Sequence, residues 1–228
     1  MMYRISLFIA LFLVSCGTET KKETAFSRDY FYPATKEKQA NVLIDTLQPL
    51  DERVFVYHTA KFDETESIFL EKYVQGTRLI EGFVFSLEDS VIVKEHMVID
   101  RLNRKSKAQT SAFEHLPYSL NDESYFHSSF PSHLDSVIAV YESKKSCIKS
   151  DTVFSFNGVK HDAVIYRDSI KLSMYNPLTK DGKSRINVQD LMYAKDLGLV
   201  SISVPNSKIH LQLFRVLNQQ EWESLLQK

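Results

Sequence analysis

From Val42 onward the chain repeats one pattern: short runs rich in Val, Ile, Phe and Tyr, cut by brief polar breaks. Residues 53–58 (RVFVYH), 68–74 (IFLEKYV), 79–85 (LIEGFVF) and 91–99 (VIVKEHMVI) are four such runs. Their composition favours half-buried strands. Gln75-Gly76-Thr77 and Glu88-Asp89-Ser90 supply turn chemistry between them. Breaks this short leave no room for a parallel crossover, which needs a dozen residues or more, so successive strands must be antiparallel neighbours. The expectation is a mainly β chain: an antiparallel meander forming a curved sheet or open half-barrel, closed by a short C-terminal helix.

The sharpest local signal is Asn157-Gly158, set between 151–156 (DTVFSF) and 159–166 (VKHDAVIY). A type I′ turn needs positive φ at both central residues, and Asn-Gly tolerates it best. That two-residue turn sets Phe156 opposite Val159 and Phe154 opposite His161. Arg167-Asp168 reads as the next break, 170–175 as a strand and 177–183 as a loop. A strand runs through Val204, and Pro205-Asn206-Ser207 turns the chain into 208–216. Asn218 and Glu221 have capping-box spacing and open a helix over 219–227 that buries Trp222 with Leu225 or Leu226. Two stretches are less regular. Asn103–Ser111, with Arg104, Lys105 and Lys107, reads as a basic loop, and Phe113–His133 as an irregular loop. In Ser132–Lys145 the spacing of Leu134, Val137, Ile138 and Tyr141 fits a helix, whereas Val-Ile-Ala-Val-Tyr fits a strand. The β surroundings favour the strand.

The N-terminus carries a different message. Arg4 precedes an apolar run from Ile5 to Val14 broken only by Ser6. Ten residues at about 1.5 Å each cover only about half a bilayer core, so a secretory signal fits better than a membrane span. The run ends in Leu13-Val14-Ser15-Cys16, which resembles the lipobox of bacterial lipoproteins. The resemblance implies diacylglyceryl transfer to the Cys16 sulfur, cleavage before Cys16 and acylation of the new amine. Two or more acyl chains anchor stably where one does not. The expected organisation is a signal peptide over 1–15, a lipidated cysteine and tether over 16–40, and one β-rich domain over 41–228. Gly17 follows the cysteine where some bacteria place Asp for inner-membrane retention, and residues 17–23 are mixed in charge. Both point to the cell envelope, with the protein lipid-anchored in the outer membrane and facing the periplasm. The aromatic knot Tyr30-Phe31-Tyr32-Pro33 is expected to dock on the domain.

The second half is similar to small envelope lipoproteins built as β-meanders, through the Asn157-Gly158 hairpin and the later Tyr193-Ala194…Gly198-Leu199-Val200. Those domains are akin to the LolA/LolB type of open barrel, which implies a curved sheet around an apolar hollow. The resemblance is to a shape and assigns no catalytic residue.

Composition narrows the chemistry. Removing residues 1–15 takes away only Arg4, leaving 27 basic against 29 acidic residues in 213. This near-neutral balance gives no basis for nucleic-acid binding. No phosphate-binding glycine loop, dinucleotide fingerprint or nucleophile elbow occurs, and no cofactor is expected. The seven His are scattered without metal-ligand spacing. With Cys16 lipidated, Cys147 has no disulfide partner and reads as a buried thiol. The leading expectation is non-enzymatic binding of an apolar ligand or an envelope protein, with Phe55, Phe83, Phe85 and Met97 as candidate cavity residues. One alternative is a periplasmic hydrolase, metal-dependent or not, drawing on His115, His127 or His133 with Asp122 or Glu123. Another is a surface adhesin or inhibitor.

Overall fold

The computed structural model describes residues 26–63, 67–134, 136–205 and 207–227. Thirteen strands follow one another: β1 (Gln39–Asp45), β2 (Phe55–Phe62), β3 (Ser67–Val74), β4 (Arg78–Ser86), β5 (Val91–Ile99), β6 (Lys105–Lys107), β7 (Gln109–Leu116), β8 (Glu123–Pro131), β9 (Ile138–Phe156), β10 (Val159–Asn176), β11 (Asp181–Ala194), β12 (Gly198–Val204) and β13 (Ile209–Leu217). A single helix, α1 (Gln219–Leu226), ends the chain. Every pairing is antiparallel, and β1 pairs with both β2 and β13.

The meander is therefore not an open half-barrel. Pairing of β4 with β5 and of β1 with β13 closes twelve strands into an antiparallel barrel, with β6 a short appendage on β5. Closure removes exposed sheet edges, which otherwise invite association with other chains. Local pattern cannot reveal it, because β1 and β13 lie at opposite ends of the sequence.

Three other sequence expectations change. The basic stretch 103–111 contains β6 and the start of β7. The stretch 113–133, read as a loop, is mostly the β7–β8 hairpin, with Phe113 opposite Phe126. Arg167-Asp168 does not break the chain: β10 runs through both, because Asp168 faces inward and finds partners there. The aromatic knot at 30–33 docks on the barrel as expected, with Phe31 and Tyr32 almost wholly buried in the main core. The Asn157-Gly158 turn forms with φ of 50° and 80°, and Phe156 pairs with Val159 and Phe154 with His161, as the two-residue turn requires. The 138–145 stretch is strand.

The knot is buried for a physical reason. Barrel diameter grows with strand number, and about eight strands already give a lumen that side chains just fill. Twelve strands leave more room. Phe31 and Tyr32 enter it beside Phe85, Leu191 and Tyr193, and Phe31 makes an edge contact with Phe85 at 5.1 Å. Tyr166 donates from its hydroxyl to Ser27 Oγ at 2.7 Å, which pins the start of the segment. Gly198 leaves space for it: a Cβ there would lie 2.5 Å from the Tyr32 ring.

Helix α1 covers the outer face of β1–β3 and β13. Trp222 packs under it with Ala40, Val42, Tyr73 and Leu217. Its start is a reciprocal capping box between Asn218 and Glu221. Outward positions of β8–β11 carry cross-strand ion pairs: Lys144–Glu123 at 2.8 Å, Lys171–Glu142 at 2.8 Å and Arg167–Asp190 at 2.8 Å. A lipid-facing belt would be apolar there, so this part of the outer wall suits water. No described helix is long and apolar enough to cross a membrane.

Candidate functional site

Register builds two polar rows inside the barrel. His58 on β2 is the direct partner of Lys72 on β3, and Lys72 is the partner of Glu81 on β4. Elsewhere on the wall, Lys145 on β9 pairs with Asp168 on β10, which pairs with Gln189 on β11. Paired residues share one face of a sheet, so each row presents its side chains together. Both rows line a cavity of about 120 Å³. Phe31, Phe83, Phe85 and Phe126 form its aromatic wall, and Leu70, Leu191 and Ile202 complete it.

The second row is internally satisfied. Ser143 Oγ donates to Asp168 Oδ1 at 2.7 Å and Gln189 Nε2 donates to Asp168 Oδ2 at 3.2 Å. Lys145 Nζ donates to Ser143 Oγ at 2.8 Å and lies 3.8 Å from Asp168 Oδ2. Burial pushes the Lys145 pKa down, and Asp168 and Glu81 pull partly against it. Removing one member of such a pair strands the other charge, which costs far more than replacing both.

The first row is not satisfied. Tyr32 Oη and His58 Nδ1 are 2.9 Å apart, while His58 Nε2 is buried without any partner. Burial, and to a lesser degree Lys72, lower the His58 pKa to about 3, so the ring is neutral near pH 7. Lys72 makes no hydrogen bond or ion pair among the described residues, although Glu81 stands opposite it. Burial opposes ionisation of Glu81, but the His96 hydrogen bond and the charge on Lys72 outweigh it and hold the carboxyl below its usual pKa.

A relay runs behind Glu81. His96 Nε2 lies 3.0 Å from Glu81 Oε1, and His96 Nδ1 lies 3.1 Å from Ser128 Oγ. The imidazole stacks on Phe83 at 4.5 Å, nearly parallel. Ser128, His96 and Glu81 do not make a working nucleophile: Ser128 is 0% exposed and does not reach the cavity wall. The arrangement orients the Glu81 carboxylate instead.

The residues singled out from sequence divide. Phe83 and Phe85 line the cavity. Phe55 sits on the outer face in the cluster beneath α1. Met97 also lies outside the cavity, over Gly82, in an outer groove with Phe69 and Val84. The four therefore do not share one hollow. The proposed hydrolase set does not converge either. His115 faces inward, with its Nε2 3.4 Å from Tyr193 Oη; burial holds its pKa well below the usual value, assisted by Lys145. His127 bonds Ser111, while His133, Asp122 and Glu123 are exposed. No group of three or more His, Cys, Asp or Glu positioned for a metal ion occurs among the described residues. Cys147 is a partly buried free thiol whose pKa is raised by burial. Leu13, Val14, Ser15 and Cys16 lie outside the described residues.

No family model, curated protein or solved structure matches this chain.

Sequence reading missed His58, Lys72, Glu81, Lys145, Asp168 and Gln189 as a group. One signal was available: Glu81 and Lys72 interrupt apolar runs at positions where strand alternation points inward. Choosing between Lys144 and Lys145, by contrast, requires knowing the pleat. Here Lys144 faces solvent and Lys145 the lumen.

Proposed function

We propose that the protein is a lipid-anchored envelope protein that binds a small molecule inside its barrel without transforming it. The observation that carries this reading is the buried His58 Nε2, which lacks a partner on a residue that lines the cavity. A buried polar group without a partner costs about 1–3 kcal/mol, and a ligand would recover that. The mixed wall favours a molecule with both polar and apolar parts over the purely apolar ligand expected from sequence. Anchoring rests on the lipobox-like Leu13-Val14-Ser15-Cys16. An outer-membrane position facing the periplasm rests on Gly17 and the mixed charges after it.

The test is native mass spectrometry of the full chain purified in detergent, compared with the denatured spectrum. An added small-molecule mass lost on denaturation is expected. If the native mass stays that of the chain and its lipid alone, even after incubation with small-molecule mixtures, the binding reading fails. Labelled palmitate should enter the wild-type chain and not Cys16→Ala; equal labelling would remove the anchor.

A second reading, docking of an envelope protein, is favoured by the outer groove over β3–β5. There Phe69, Val84 and Met97 lie between Lys38, Lys61 and Lys107. A photo-crosslinker at position 69 should then trap one discrete partner in cells.

A further inference from the structure

We infer that the cavity binds a small zwitterion, an α-amino acid of about alanine size being the simplest. Its carboxylate would be held by Lys72 and His58, and its ammonium by Glu81. This inference rests on the binding reading above and names the ligand class for the same site.

Hydrogen-bond accounting sets the polarity at each point of the row. The Tyr32 phenol is a stronger hydrogen-bond donor than an imidazole N–H, and a bare imidazole nitrogen a stronger acceptor than a phenol oxygen. The phenol proton therefore goes to His58 Nδ1, 2.9 Å away. In a neutral imidazole one nitrogen accepts and the other carries hydrogen. The network thus assigns the hydrogen to Nε2, the atom without a partner. Position 58 offers a donor. Lys72, next in the row, offers up to three more. Glu81, next again, is an acceptor: His96 occupies only Oε1, and the side chain retains 27% exposure. Two donors followed by an acceptor match a carboxylate followed by an ammonium.

Charge balance selects a zwitterion over a simple anion. Lys145 and Asp168 already pair with each other, whereas Lys72 and Glu81 face one another without an ion pair. A neutral zwitterion satisfies both without adding net charge to a buried site, where an unbalanced charge is strongly disfavoured. Size sets the upper limit. The cavity holds about 120 Å³, somewhat less than the roughly 150 Å³ hollow that accommodates benzene. Phe83 and Phe126 leave an apolar wall for a short side chain.

The experiment is isothermal titration of the full chain in detergent with three probes: L-alanine, propionate and n-propylamine. L-alanine should bind at least about tenfold more tightly than either half-molecule, as the loss of one charged hydrogen-bond partner implies. Lys72→Met should weaken L-alanine and propionate alike, and Glu81→Gln should weaken L-alanine while sparing propionate. The wild-type comparison decides the matter even if a variant misfolds. Propionate binding as tightly as L-alanine would overturn the inference in favour of a simple anion. So would a captured molecule in the native spectrum that carries no ammonium–carboxylate pair, and that result would leave the binding reading intact. No binding by any probe together with an empty native spectrum would remove both.

Discussion

His58 shows how a single buried side chain turns fold into pH dependence. Its folded pKa is about 3 against 6.5 when unperturbed. Between those values the unfolded chain binds a proton that the folded chain refuses, so stability rises with pH across that window and is fully present above 6.5. Acidification from about pH 6 to about pH 4 should therefore reduce stability by about 1.4 kcal/mol per pH unit for this group alone. His115, also pushed down by burial, acts in the same direction. Urea unfolding at the two pH values should show a clearly flatter response in His58→Gln. An unchanged slope would mean that His58 is protonated, or solvated, in the native state. Glu81 is governed differently: its anion is favoured by His96 and Lys72 despite burial. One lumen thus keeps an imidazole neutral and a carboxyl ionised.

Among elements, the segment 26–33 and the turn at Gly198 depend on each other. Asp196 and Gly198 both have positive φ, 67° and 75°, and the turn they form passes beneath the Tyr32 ring. Gly198→Ala would bring a Cβ to 2.5 Å from the ring of Tyr32, a residue that is 5% exposed. Destabilisation by about 2–3 kcal/mol is expected from overpacking added to backbone strain. Gly158→Ala is the matched control: its φ is also positive, 80°, but nothing lies within 4 Å of the new Cβ. Denaturant melts should show about 1 kcal/mol or less for the control. Equal losses at the two sites would show that the Tyr32 contact does not hold the segment in place.

For the molecule as a whole, the decisive contact is β1 with β13. Ala40 opposite Leu217 and Asp45 opposite Leu211 join the two ends of the sequence. In an open half-barrel these would be edge strands that fray locally. In the closed barrel they are internal, and their amides should exchange only on large-scale opening. Hydrogen exchange read by mass spectrometry should find peptides from 39–45 and 209–217 as protected as those from 55–62. Exchange about a hundredfold faster in the end strands would mark an open edge. Closure of so long a loop also predicts slow folding, because its entropy is lost before the final pairing forms.

Local structure was legible because it has local causes. The Asn157-Gly158 turn and its register follow from which residues tolerate positive φ, and the Asn218–Glu221 cap from the reach of two side chains over one helical turn. Alternation of apolar residues specified strands, and short breaks made them antiparallel. The errors came where a tertiary partner overrode a local signal. Arg167-Asp168 has the composition of a break, but Asp168 meets Ser143 and Gln189 inside the barrel. The stretch 113–133 reads as irregular because its strands bury serines and a histidine among aromatics, which blurs alternation. The candidate cavity set was mixed for a related reason. Phe83 and Phe85 share one parity and face the lumen, but Phe55 lies under a helix that arrives from the far end of the chain, and Met97 lies across Gly82. The sequence by itself therefore determined the strands, the tight hairpin, the C-terminal cap and the lipobox-like start. Tertiary structure decided the closure, the burial of Phe31 and Tyr32, and the charged lumen. Each of these depends on which residues from distant strands share one face, and no local interaction encodes that.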